Sequence, residues 1–171
     1  MHGLLRLFLD LLLRRRGPED LPHSWVLCAL VSLAAVSANA LYVSTAVPDG
    51  HWAVRTVVDF AAGAGFLVAV LALFGHLARF VQSFTALAGT GVLLSLPALL
   101  LLGLAQTGWQ PLQGVLNLAF MMLLVASLFV TEHIFRRTLE CSRWRSVPLT
   151  LANFLLSVSV AQWLDRWLRA A

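Results

Sequence analysis

Lysine is absent from this 171-residue chain, tyrosine occurs once, and charged residues of any kind make up only 12% of it, where a soluble domain carries about 25%. So little charge cannot clothe a water-soluble globule when 60% of the residues are hydrophobic. Cysteine is scarce too. Cys28 and Cys141 cannot build a disulfide framework, and neither stands in a CxxC or Cys/His ligand spacing. There is no GxSxG elbow and no HExxH pair, which removes the common signatures of nucleophilic hydrolysis and zinc chemistry. No phosphate-cradling GxxxxGK[ST] appears either, and the glycines at 63, 65, 89 and 91 are embedded in apolar runs. The chain is therefore read as non-enzymatic and without a cofactor. All basic charge is arginine, giving +4 overall. The arginines sit in short clusters between long apolar runs, which fits a membrane surface and argues against nucleic acid as a partner.

A bilayer core about 30 Å thick takes roughly 20 helical residues to cross, and five stretches meet that length. The spacing predicts spans at 24–47, 56–76, 83–105, 112–134 and 147–166 within a 23–171 transmembrane domain, preceded by a 1–22 cytoplasmic segment. In hydrocarbon every backbone NH and CO must be paired within its own segment or in a closed barrel, and nothing here alternates with period two. An all-α polytopic bundle is expected. Trp25 and Tyr42 near the ends of the first run, and Trp109 in the QTGWQP turn, suit the membrane interface. Pro97 interrupts the third span, so a kink or local break is expected there, with the freed carbonyl covered by Ser95 or a neighbouring helix.

Arginine placement predicts orientation. Arg6, Arg14, Arg15, Arg16, Arg79, Arg136, Arg137, Arg143 and Arg145 fall on one side, and Arg55, Arg166 and Arg169 on the other. The positive-inside rule puts the N-terminus in the cytoplasm of a bacterial inner membrane and the C-terminus in the periplasm. Trp52, Trp109, Trp163 and Trp167 then share the outer side, while Cys28 and Cys141 lie toward the reducing side as free thiols. Residues 3–16, GLLRLFLDLLLRRR, have their positive cluster after the apolar stretch, unlike a signal peptide. Arg6, Asp10 and Arg14 recur every four residues, with leucines and Phe8 filling the rest, which reads as an amphipathic helix in the interface, stopped by Gly17 and Pro18. An ordinary helix packed on a neighbour is the alternative.

Several residues are candidates for chemistry. Asp59 is a carboxylate inside a span, costly unless it faces protein or water, and Arg55 one turn earlier is its candidate partner. Asn39, Asn117 and Asn153 lie in three different spans, where amides hydrogen-bond between helices; packing is the preferred role. Small residues at Ala34, Ala38, Ala61, Gly65 and Gly89 to Gly91 would let helix backbones approach closely. His23, His76 and His133 all fall at the cytoplasmic ends of spans, so a metal or haem site is conceivable, against the simpler reading of solvated interfacial residues. Arg14, Arg15, Arg16, Arg136, Arg137, Arg143 and Arg145 are candidates for anionic lipid headgroups, with topology signalling alone as the equal alternative.

The order of these parts resembles the Yip-domain membrane proteins, including their small bacterial members. The likeness rests on LRRRGPEDLPHSW before the first span, HLARFVQSF at 76–84, Pro97 in the third span and the five-span topology. The resemblance implies a non-enzymatic membrane protein, and it carries over no site residues. The expected function is an accessory, scaffold or assembly subunit that binds other membrane proteins or itself. The alternatives are a small transporter or channel subunit using Asp59 and the asparagines along a polar path, and a haem or metal redox protein.

Overall fold

A computed structural model of the chain describes residues 2–47, 51–108 and 110–170. Trp109, named above as an interfacial anchor, lies outside them. The described residues form six α-helices and no strand: α1 (His2–Leu12), α2 (Trp25–Ala46), α3 (Trp52–Leu73), α4 (Phe80–Gln106), α5 (Gln113–Thr138) and α6 (Arg143–Ala170). Each of α2 to α6 is long and apolar enough to cross a membrane. In their most apolar windows only 6% to 22% of residues are buried inside the protein. Exposed leucines and valines along them, among them Leu30, Leu33, Leu100 and Val115, form an apolar exterior suited to lipid. This is an integral, multi-pass membrane protein.

The helices start and stop for local reasons. Ser24 caps α2 by accepting from the Leu27 NH at 3.3 Å. Three helices end in paired 6→1 and 5→2 hydrogen bonds around a left-handed residue. Gly75 (φ 74°) does this after α3, with His76 NH on the Leu71 carbonyl at 2.8 Å. Glu140 (φ 49°) does it after α5, and Arg14 (φ 59°) after α1. So α1 stops at Leu12, closed by the Arg15 NH on the Asp10 carbonyl at 2.8 Å, and not by Gly17 and Pro18. Pro97 does not break α4, and the Ser95 hydroxyl donates to the Val92 carbonyl at 2.7 Å.

Some boundaries move outward from the sequence reading because charged residues stay helical. α3 begins at Trp52 because Arg55 finds an acid on another helix. α5 runs to Thr138 with Arg136 and Arg137 in its last turn, where cations complement the helix dipole. α6 starts at Arg143, its first turn closed by the Ser146 NH on the Ser142 carbonyl at 3.1 Å.

The five long helices close into a ring in the order α2, α4, α5, α6, α3 and back to α2. Two apolar clusters pack the end of this ring that bears most of the arginines. One joins Phe8, Leu11 and Leu21 to Ala86, Val130 and Ile134; the other joins Leu67, Val70 and Leu71 to Phe135 and Leu139. α1 therefore seats on α4 and α5 through Phe8 and Leu11, while Leu4, Leu5, Leu9 and Leu13 remain exposed. Gly89 is what lets Phe8 in: a Cβ there would stand 2.2 Å from the Phe8 ring. Its small size serves a side chain, whereas Cβ atoms at Gly65 and Gly91 would meet nothing within 4 Å. Gly89→Val should displace Phe8 and cost about 1–3 kcal/mol through overpacking. Limited proteolysis of the detergent-solubilised protein checks this, with faster cleavage in the 13–24 segment expected.

Candidate functional site

The segment after α1 is held to the ring by side chains of α4 and α5. Gln82 Nε2 donates to the Leu21 carbonyl at 2.8 Å, and Arg137 stands 3.6 Å from Glu19. His133, buried at the same end, faces the Arg16 carbonyl at 2.7 Å through Nε2 and the Arg136 guanidinium at 3.4 Å through Nδ1. A carbonyl only accepts and a guanidinium only donates, which assigns the proton to Nε2. His133 is thus occupied as a tether. His23 is exposed, and among the described residues no group of three His, Cys, Asp or Glu side chains is placed to hold a metal ion.

Beneath that segment lies a buried polar network. Glu132, 6% exposed, accepts from the fully buried Ser146 hydroxyl at 2.7 Å. Arg136 Nε lies 3.5 Å and Arg14 Nη2 4.0 Å from its two oxygens. Close by, Arg79 donates to the Thr138 carbonyl at 2.9 Å and to Glu140 at 2.5 Å. The Arg79 guanidinium holds the exposed Glu140 carboxyl below its ordinary value of 4.5. A carboxylate depressed in the folded state stabilises above its unfolded pKa, and the effect is lost as pH falls through the folded one. The melting-temperature difference between wild type and Glu140→Gln should therefore hold from about pH 8 to about pH 6 and shrink as the pH falls below 4.5. Cys141 is a free thiol whose pKa burial pushes up, which disfavours the nucleophilic thiolate.

Inside the ring is a hollow that runs from Phe84 and Thr131, beside the packed clusters, to Ala98 and Asn117 toward the other end. A cavity of about 930 Å³ is lined by residues of all five long helices, within the upper part of the range for small-molecule sites. Its wall is mostly apolar, combining small residues such as Ala38, Gly63, Ala88 and Gly91 with Phe60, Phe84 and Phe120. Into this wall come Asn39 from α2, Asp59 from α3, Asn117 from α5 and Asn153 with Ser157 from α6. The four span polar residues singled out in the sequence thus share one chamber.

Asp59 is the hub. Ser157 Oγ donates to Oδ1 at 2.5 Å and Asn39 Nδ2 to Oδ2 at 3.4 Å, so the carboxylate links α2, α3 and α6. It lies about 10 Å along the helix axis from the first residue of α3. Asn153 stands one turn, about 6 Å, from Ser157 toward the packed end. The side chains of Asn117 and Asn153 line the cavity without a hydrogen bond to another described residue. Arg55 does not serve Asp59 in the way the i, i+4 spacing allowed; it pairs with Asp165 on α6. That link, 110 residues apart in sequence, fastens α3 to α6. Ser157 and Asp165 went unnoticed in the sequence because neither stands out from its local pattern. Comparison of the chain with protein families, with curated proteins and with solved structures finds no match.

Proposed function

We propose that this chain is a solute-binding or transport protein of the bacterial inner membrane, and that its guest is a small amphipathic cation held in the ring cavity. The observation that carries this reading is the convergence of Asn39, Asp59, Asn117 and Asn153, from four different helices, on one chamber. If packing alone placed these residues, each would be expected to close onto a neighbour; two of the three amides instead face open volume. A carboxylate offers about four acceptor positions, of which Ser157 and Asn39 use two. The remaining positions, with apolar walls around them, suit an ammonium-like group carrying hydrophobic bulk.

In this proposal the arginine-rich end faces the cytoplasm by the positive-inside rule, with the N-terminus inside and the C-terminus in the periplasm. The packed clusters then form the cytoplasmic floor, and access comes from the periplasmic half. α1 lies in the cytoplasmic interface, its exposed leucines meeting lipid. The Yip-domain likeness belongs to the proposal at the level of topology. The accessory-subunit reading rests on the short loops, whereas the chamber needs no protein partner.

Two ions of the same shape and opposite charge test it. Purified protein should bind tetraphenylphosphonium at least tenfold more tightly than tetraphenylborate. Equal affinity, or preference for the anion, would refute the cation site.

A further inference from the structure

A second cavity, of about 390 Å³, opens between α5 and α6 at the arginine-rich end, away from the ring interior. Its apolar wall includes Leu128, Phe129, Val147 and Leu151, and its rim carries Arg14 and Arg143. Phe129, Val147 and Leu151 are exposed at the bundle surface at 53%, 45% and 47%, so the groove faces the lipid layer. Arg143 is the first residue of α6 and has no acidic partner among the described residues. Arg14 lies over the Phe129 ring at 5.7 Å and 4.0 Å from Glu132. Glu132 at the pocket is shared by Ser146, Arg136 and, at 4.0 Å, Arg14 itself, so Arg14, Arg136 and Arg143 stand around a single acid and a positive surplus remains. An apolar slot along two helices, closed at headgroup depth by two guanidiniums, matches an acyl chain below a phosphate.

We infer that this groove is a seat for one anionic phospholipid, its phosphate between Arg14 and Arg143 and an acyl chain against Phe129, Val147 and Leu151. The site is separate from the ring cavity, and a lipid here would staple α1, α5 and α6 together. A zwitterionic lipid places an ammonium beside the same arginines and is disfavoured.

Native mass spectrometry of the full chain, delipidated and then titrated with phosphatidylglycerol or phosphatidylcholine, tests the assignment. Wild type should retain one phosphatidylglycerol with at least tenfold preference over phosphatidylcholine. Arg143→Gln should erase the preference, and Leu151→Trp, which fills the slot without touching charge, should reduce retention at least tenfold. Arg166→Gln, at the opposite end, should change nothing. The inference fails if the two lipids bind alike, if both groove variants keep phosphatidylglycerol, or if inorganic phosphate alone at equal concentration competes as well as the lipid. In the last case the site is a phosphate site and not a lipid seat. Matching melting temperatures of the variants with lipid absent separate loss of the seat from loss of the fold.

Discussion

Asp59→Asn is expected to weaken binding of a lipophilic cation at least tenfold while leaving the helix bundle assembled. The loss follows from the removal of the carboxylate in the cavity wall, where a charge-assisted contact contributes about 1.5–3 kcal/mol, and 1.4 kcal/mol is already a factor of ten. The fold survives because the substituted amide still accepts from Ser157, and Asn39 can turn its own amide to present oxygen in place of nitrogen. Asp165→Asn is the matched control. It also removes an acid, but one committed to Arg55 and absent from the cavity wall. Equilibrium dialysis of tetraphenylphosphonium against the three proteins gives the comparison. Unchanged affinity in Asp59→Asn, or an equal loss in Asp165→Asn, would count against the site.

The largest stability effect belongs to Glu132. Alanine there leaves the Ser146 hydroxyl without its carboxylate and places the Arg136 and Arg14 guanidiniums beside an empty space. Breaking a buried ion pair from one side costs about 3–5 kcal/mol, and the partial exposure of both arginines places this case near the lower end. At about 2–4 °C per kcal/mol the melting temperature should drop by roughly 6–12 °C. Glu132→Gln keeps an acceptor for Ser146 and should fall by less than half as much. A differential scanning measurement in one detergent suffices, and an alanine variant melting with wild type would show that the network adds nothing.

The five spans were legible because length and apolar composition are what hydrocarbon demands, and each run carries both by itself. The ring order was not. A spanning helix meets lipid on one side and apolar neighbours on the other, so α2, α4 and α5 carry leucine all round and no stripe marks the inward face. Asn39, Asn117 and Asn153 were recognised as unusual, yet their meeting point depends on the rotation of three helices that sequence spacing does not encode. Asp59 was read with Arg55 because i, i+4 is the one proximity a sequence displays; the actual partners come from α2 and α6. The stop of α1 was misplaced for a related reason. Gly17 and Pro18 are strong stop signals, but Arg14 takes the left-handed position three residues sooner, and arginine does not advertise that conformation.

The central claim is that the ring encloses a polar chamber along its middle, lined by Asn39, Asp59, Asn117 and Asn153, that is reached from the face opposite the arginine clusters and closed toward them by the apolar clusters. Cysteine accessibility measures this directly in sealed membrane vesicles, with Cys28 and Cys141 replaced by serine. A cysteine at Ala62, on the cavity wall, should react with a small charged thiosulfonate added from the face opposite the arginine clusters. A cysteine at Ala86, 0% exposed in the packed cluster, should stay unmodified from either face. An inert position 62, or one labelled as readily from the arginine-rich face, would contradict the account.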